Sequence, residues 1–394
     1  MEKRFVPLLL GADINVYSMA RAFHEAYGVR TVAYGMYPSG PCVGSDIIDY
    51  RVCADNDAPE VVLENVKKVA AEFSDRKVIV LGCGDNYLTS IACNLPYFPE
   101  NVISPYIDLA TMEVLIHKEK FYELCDQYGL DHPATFVYKK GMGHDFTLPF
   151  SGPFVVKPAE SATYWDHPFD TQKKAYVLQT REEVDRVLDE IYEHGYEDSL
   201  IIQDFIPGDD SFMRVVTNYS GADGKVRLMC VGHVLLEEHT GHAIGNHAVI
   251  ITEPEPELCE KLRGFLEAIG FVGYVLLEEH TRHGIGNHAV IITEPEPGLC
   301  EKLRTFLEAI GYTGFSNFDV KYDQRDGKFK VFEINTRQGR SNYYVTGAGY
   351  NLAKYLVEDR IEHKSCGLTI AKNRHMWRVI PRSVAYDYIP KRFH

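Results

Sequence analysis

Asp319, Glu333 and Asn335 are the residues whose types and spacing first suggest chemistry. The chain alternates apolar and polar from Phe318 to Tyr322, turns at Asp326-Gly327, and alternates again from Phe329 to Ile334. An Asp-Gly pair tolerates positive φ, so this pattern predicts a β-hairpin. Side chains two apart on a strand share a face. Glu333 and Asn335 therefore point the same way, with Asp319 across the hairpin. Two carboxylates and an amide oxygen form a hard oxygen set, of the kind that holds Mg²⁺ while leaving room for water and substrate phosphates. The plainer alternative is a solvated acidic edge hairpin, and the rest of the chain must decide between them.

Other candidates sit at strand ends. Lys157 follows the apolar run Phe154-Val155-Val156 and enters a loop of small and polar residues, Ala159–Thr163. A lysine so placed can reach a phosphate as a point charge. Lys118 and Lys120 lie on a helix predicted over Met112–Gly129. Asp13 and Asn15 follow the strand Phe5–Leu10, and Asp85 and Asn86 follow Lys77–Leu81. Ligands of open α/β sheets collect at the carboxyl ends of strands, but each of these four alone reads more simply as a helix N-cap. His239, His242 and His247 have no Cys partner and no spacing typical of a metal site, so they read as loop histidines, not metal ligands.

These residues must be positioned by alternating strands and helices. Strand Phe5–Leu10, helix Asn15–Tyr27 and strand Thr31–Tyr34 make a βαβ start. The loop after the first strand lacks G-x-G-x-x-G, so no dinucleotide site is inferred there. Helices are predicted at Val61–Phe73, Arg181–His194 and Asn351–His363. Strands are predicted at Thr135–Tyr138, Pro153–Lys157, Ser199–Phe205 and His375–Tyr388, with a hairpin pairing Ser211–Thr217 and Lys225–Val231.

A tandem repeat interrupts this order. Val231–Phe271 and Val272–Tyr312 are 41-residue copies that differ at six positions: His233/Tyr274, Gly241/Arg282, Ala243/Gly284, Glu257/Gly298, Gly264/Thr305 and Phe271/Tyr312. Each copy reads as strand, loop, strand, Pro-Glu-Pro and helix. Two copies do not make a solenoid, so one extra unit inserted by duplication is the reading. A crossover between copies would complete one unit and loop out the remainder, because closure entropy grows only slowly with length. One copy is expected to complete the sheet while the other packs peripherally.

Composition excludes some classes. The chain has 394 residues and a formal net charge of −15, with no basic stripe, so a nucleic-acid partner is not expected. Nine cysteines are scattered without C-x-x-C pairs, which suits a reducing compartment. The N-terminal apolar run is too short for a signal peptide or a membrane span, and a cytoplasmic location is expected.

With these positions laid out, the chain resembles the ATP-grasp superfamily, and within it the D-aspartate-ligase-like branch of the carboxylate–amine ligases. Four ordered signals carry the resemblance over nearly the whole chain. Lys118 stands eleven residues before the turn Gly129-Leu130-Asp131-His132-Pro133. Phe154–Pro158 looks like the strand bearing the second nucleotide lysine, although the following loop is not Gly-rich. Ile202–Asp210 looks like the adenine hinge. The hairpin of Asp319, Glu333 and Asn335 looks like the metal hairpin. The stretches Glu333–Ser341 and Gly11–Tyr17 point to the branch.

The resemblance implies a multidomain α/β and α+β chain. Residues 1–110 would form an N-terminal Rossmann-like pre-ATP-grasp domain and 111–205 the small lid subdomain. Residues 206–394 would form the large ATP-grasp subdomain, which holds the duplication. It implies ATP with Mg²⁺ or Mn²⁺ as cofactors. Lys118, Lys157, Gln203, Phe205, Ile206 and Asp210 would contact the nucleotide, and Asp319, Glu333 and Asn335 the metal. Arg337, Arg340 or Arg214 would hold the substrate carboxylate or steady the transferring phosphoryl group. The reaction implied is amide formation through an acyl phosphate, joining D-aspartate or another amino acid to an amine acceptor of a cell-wall precursor, with a homodimer left open. Other ATP-grasp chemistry on a small acceptor, and a nucleotide-binding protein inactivated by its duplication, are the alternatives. The family usually runs beyond a point equivalent to His394, so a longer C-terminal region is expected.

Overall fold

The computed structural model describes residues 4–38, 40–237, 239–240, 243–244 and 288–388. Three large sheets organise them, beside a two-stranded ladder of His239–Thr240 and Ala243–Ile244. The first is wholly parallel, in the order Ile48–Val52, Thr31–Gly35, Phe5–Leu10, Lys77–Gly82, Val102–Ile103. Its central strand is buried at every position, as expected for a near-continuous apolar run covered on both faces. Helix Ile14–Tyr27 follows that strand and packs Val16, Met19, Ala20 and Phe23 into the core.

The second sheet is antiparallel and small, in the order Thr135–Tyr138, Leu200–Asp204, Phe154–Pro158, Tyr176–Leu178. It has its own apolar cluster with helix Arg181–Glu193, around Val156, Tyr164, Leu188 and Ile202. A capping box at Thr180 and Glu183 fixes the start of that helix.

The third sheet runs Lys328–Asn335, Gly314–Asp323, Met213–Ser220, Val226–Glu237, His288–Thr293, Met376–Arg378, all antiparallel, with Thr369–Ile370 pairing in parallel to Val226–Glu237. Here the repeat resolves itself. Val231–Glu237, from the first copy, pairs with His288–Thr293, from the second, in the register Gly232↔Thr293 and Val234↔Ile291. Helix Pro297–Ala309 of the second copy then covers the sheet, with Phe306 edge-on to Phe318. The completed unit is therefore a hybrid of the two copies. The second strand and helix of the first copy, and the first strand of the second, lie outside the described residues.

Three local expectations change. The predicted helix Met112–Gly129 is two helices, Leu109–Ile116 and Lys118–Tyr128, broken at extended His117. Lys118 N–H donates to Ala159 O instead of continuing the first helix. The loop after Lys157 contains a short helix, Ser161–Trp165. The stretch 375–388 is a short strand, Met376–Arg378, followed by helix Arg382–Tyr388. Pro381 marks that change, since proline favours a helix start and cannot serve a central strand.

Candidate active site

The hairpin forms as Gly314–Asp323 and Lys328–Asn335, with Asp319 opposite Glu333 and Asn317 opposite Asn335. A register shift between Asp319 and Val320 marks a bulge at the acidic pair; such bulges re-aim side chains. Asn335 Nδ2 donates to Asp319 Oδ2 at 3.3 Å, and Asp319 stands opposite Glu333, so the three predicted metal ligands lie together. Among the described residues no group of three His, Cys, Asp or Glu side chains gathers as a metal site. The set here is two carboxylates and an amide, hard oxygen donors that suit Mg²⁺.

Three lysines converge on Glu333. Lys174 Nζ lies 3.6 Å from Glu333 Oε1. Lys174, Lys118 and Lys157 hold the Glu333 carboxyl down to about 2, against the effect of burial. Lys118 is buried at the first position of its helix and donates to Ser161 Oγ at 3.2 Å. Burial lowers its pKa. Lys157 is buried on its strand, and its Nζ donates to Tyr122 Oη at 2.8 Å. Burial, then the Lys118 charge, push it down to about 7. Cations held this closely in a partly desolvated site invite a polyanion, because phosphates would relieve their repulsion.

Sequence reasoning missed Lys174. It lies in a polar stretch before strand Tyr176–Leu178, with no local signal, and only the third dimension brings it to Glu333.

The segment after the hairpin is stitched to the carboxyl ends of the parallel strands. Arg337 donates to both Asp85 oxygens, Nε–Oδ1 at 2.7 Å and Nη2–Oδ2 at 3.0 Å, and Nη2 also reaches Asn335 Oδ1 at 3.4 Å. Asp85 holds the Arg337 pKa up against burial. Gln338 Nε2 donates to Gly82 O, Asn15 Nδ2 to Gln338 O, and Asn342 Nδ2 to Asn15 Oδ1. Asp13 caps its helix by accepting from Asn15 and Val16 N–H. Burial raises its carboxyl pKa while the charges of Arg340 and Arg337 pull it back. Asp13 and Asn15 thus serve as cap and clasp, whereas Asp85 faces the hairpin.

Arg214 does not join this group. It pairs with Val320, one residue from Asp319, so alternation sends it to the opposite face of the sheet. There Nη1 donates to Ser211 O and Met213 O, and Nη2 meets Glu296 Oε1 at 3.5 Å. The predicted role for Arg214 beside the metal hairpin is corrected on this ground.

The predicted hinge, 202–210, runs between the small and large sheets. Gln203 is buried and Nε2 donates to Thr135 Oγ1 at 2.8 Å. Phe205 N–H donates to Pro153 O, so that donor is already engaged. Ile206 is buried, and Asp210 opens the short turn Asp210–Phe212. Lys321 Nζ donates to Gly208 O and stands 5.4 Å over the Phe205 ring, while Arg325 pairs with Asp204 at 2.7 Å. These contacts tie the hinge to the large sheet.

No protein-family profile matches the chain. Its sequence is 39% identical to a D-aspartate ligase of Enterococcus faecium (strain Aus0004) over 398 aligned positions, 98% of this chain and 85% of that protein. The chain belongs to the D-aspartate ligase family. Solved structures agree on the fold. An L-amino acid ligase from Bacillus licheniformis matches with a TM-score of 0.56 at 16% identity, over 91% of this chain and 75% of that one. An ADP complex of N5-carboxyaminoimidazole ribonucleotide synthetase matches at 0.60 and 12%, over 95% and 80%. A biotin carboxylase domain from Hydrogenobacter thermophilus, crystallised with MgADP, matches at 0.58 and 13%, over 90% and 69%. The fold is ATP-grasp, and the chain is an ATP-dependent ligase that forms carbon–nitrogen bonds by joining a carboxylate to an amine. Two of these neighbours were crystallised with a nucleotide, ADP in one and MgADP in the other. Among the described residues no helix is long and apolar enough to cross a membrane.

Proposed function

We propose that the chain activates the carboxylate of D-aspartate as an acyl phosphate and transfers the acyl group to an amine of a peptidoglycan precursor in the cytoplasm. The observation that carries this reading is the convergence of Lys118, Lys157 and Lys174 on Glu333, beside Asp319 and Asn335. That arrangement suits a triphosphate laid between the small sheet and the hairpin. The name of the Enterococcus faecium relative supports the amino acid.

In the first step a carboxylate oxygen attacks the γ-phosphorus, the bond from that phosphorus to the β–γ bridging oxygen breaks, and ADP leaves. In the second the amine nitrogen attacks the acyl carbon, the bond from that carbon to the phosphoryl oxygen breaks, inorganic phosphate leaves, and the nitrogen loses a proton. Phosphoryl transfer depends mainly on positioning and charge. Lys118 and Lys157 would lie along the phosphates, with Lys174 closing from the small sheet. Mg²⁺ on Asp319, Glu333 and Asn335 would neutralise the phosphate oxygens. Gln203, the Phe205 carbonyl and Ile206 would receive the adenine, and Asp210 the ribose. Arg340 is read as the grip on the substrate carboxylate, with Arg337 steadying the phosphoryl group. The parallel sheet is read as the pre-ATP-grasp domain, and the repeat as a duplicated insertion in the ATP-grasp domain.

The test is ADP release with Mg²⁺-ATP across a panel of amino acids, with hydroxylamine as trap. Formation of aspartyl hydroxamate that requires the D isomer and is lost in Glu333→Gln supports both the acyl phosphate and the hairpin. ADP release with no hydroxamate from any amino acid would refute the reading.

A further inference from the structure

Asp13 is a carboxylate with only a structural use so far. Its Oδ1 accepts from Asn15 N–H at 3.1 Å and Val16 N–H at 3.4 Å, capping the helix Ile14–Tyr27. Those are the side chain's only hydrogen bonds among the described residues, so Oδ2 is open. A cap needs one acceptor oxygen, and Ser or Asn would supply it without a charge. The charge is costly here, because burial works against it and raises the carboxyl pKa. The residue nevertheless keeps some exposure, so a solute can reach it.

Hydrogen bonds connect Asp13 to the reacting end. Asn15 Nδ2 donates to Gln338 O at 3.3 Å, and Arg337, the residue before Gln338, reaches Asn335 Oδ1 at 3.4 Å through Nη2. The Arg337 guanidinium feels both the Asp13 and the Asp319 charges. Asp13 is also held from behind: Cys42 Sγ lies 4.0 Å from Asp13 O, and a Cβ on Gly40 would stand 2.4 Å from Ala12 O. Of the carboxylates around Arg337, Asp85 is closed by that guanidinium and Asp319 accepts from Asn335, whereas Asp13 Oδ2 is open. A site for a plain carboxylate would be better without Asp13, since like charges repel. A carboxylate beside two arginines suits a ligand that carries a cation together with its anions. An ammonium fits an open carboxylate oxygen, being a compact charge with three donors.

We propose that Asp13 Oδ2 holds the α-ammonium of the amino acid whose carboxylate is activated, and that Asp13 thereby selects an amino acid over a hydroxy acid of the same shape. The inference rests on the ligase reading above. It gives Asp13 two uses at once, with Oδ1 on the helix and Oδ2 on the substrate.

D-malate tests it, because it carries a hydroxyl where D-aspartate carries the ammonium. The readouts are the KM for D-aspartate in hydroxamate formation and the Ki of D-malate as competing inhibitor. In wild-type protein the KM should lie at least about tenfold below the Ki, the worth of one charge-assisted hydrogen bond. Asp13→Asn and Asp13→Ser both keep a capping oxygen and remove the charge. In each, the KM for D-aspartate should rise at least about tenfold while the Ki of D-malate does not rise. A residue that only caps the helix would move both constants together or neither, and either result overturns the inference. D-malate binding as well as D-aspartate to wild-type protein would overturn it too, and that comparison decides even if neither variant folds. Wild-type protein that makes no hydroxamate would instead refute the ligase reading, and the role of Asp13 with it.

Discussion

The Arg337 guanidinium closes on the Asp85 carboxylate through two parallel hydrogen bonds, at 2.7 and 3.0 Å. One residue leaves the acidic hairpin; the other begins the helix after a parallel strand. The pair therefore locks two sheets that are far apart in the chain, and it does so beside the predicted metal ligands. Bidentate geometry adds orientation as well as energy.

Asp85→Ala leaves the buried guanidinium without its main acceptor. Hydrogen bonds to charged groups contribute about 1.5–3 kcal/mol, so urea unfolding should show a loss of about 2 kcal/mol, with a smaller loss in Asp85→Asn. An unchanged midpoint in Asp85→Ala would show that the two sheets are held elsewhere.

Lys174→Ala should weaken ADP binding about tenfold, equivalent to ~1.4 kcal/mol, while Lys174→Arg keeps most of the affinity. Calorimetric titration checks this. If Lys157→Met weakens binding and Lys174→Ala does not, then Lys174 serves only as a counter-charge to Glu333.

Nucleotide binding should depend on pH through Lys157. Its pKa is pushed down to about 7 by burial, from an ordinary value of 10.5. Bound phosphate favours the charged form and raises that pKa, so binding takes up a proton above pH 7. Affinity for ADP should fall as pH rises from 7 to 9, by up to tenfold per unit. The sign for stability is opposite: the unfolded chain binds the extra proton between about 7 and 10.5, so the unliganded fold gains stability as pH rises through that window. Titration in buffers of different ionisation enthalpy measures the proton uptake, which Lys157→Met should abolish.

Much of this site was legible in the sequence, for physical reasons. Period-two alternation and Asp326-Gly327 specify the hairpin, and alternation alone puts Glu333 and Asn335 on one face. The same rule, applied to Arg214 once its partner Val320 is known, removes it from the site; register between distant strands is what the sequence withholds. The break at His117 was hidden because buried residues continue helical spacing across it, at Met112, Leu115, Tyr122 and Cys125. No glycine or proline marks that break. It arises from tertiary contacts, Lys118 N–H to Ala159 O and His117 Nε2 with Asp198. Lys174 could not be read because its significance lies wholly in a partner from another sheet.

Deleting residues 247–287 joins Asn246 to His288 and keeps every strand and helix described in the third sheet. The shortened chain should fold with an unchanged thermal midpoint and the same hydroxamate activity. A large loss in either would give the removed stretch a structural role.

The hybrid repeat has a consequence for how the chain finds its pairing. His247–Thr252 and His288–Thr293 are identical, so a growing sheet meets two equivalent candidates for one place, and the strands themselves offer no preference. Discrimination must lie in the few positions where the copies differ. His233, in the first copy, bonds Glu294 and Ser211 O, each at 2.7 Å; the second copy has Tyr274 there. Tyr312, in the second copy, donates to Phe315 O at 2.6 Å, a bond that Phe271 cannot make. The entry to the unit is thus marked by one copy and its exit by the other. The fold distinguishes two near-identical sentences by their first and last words.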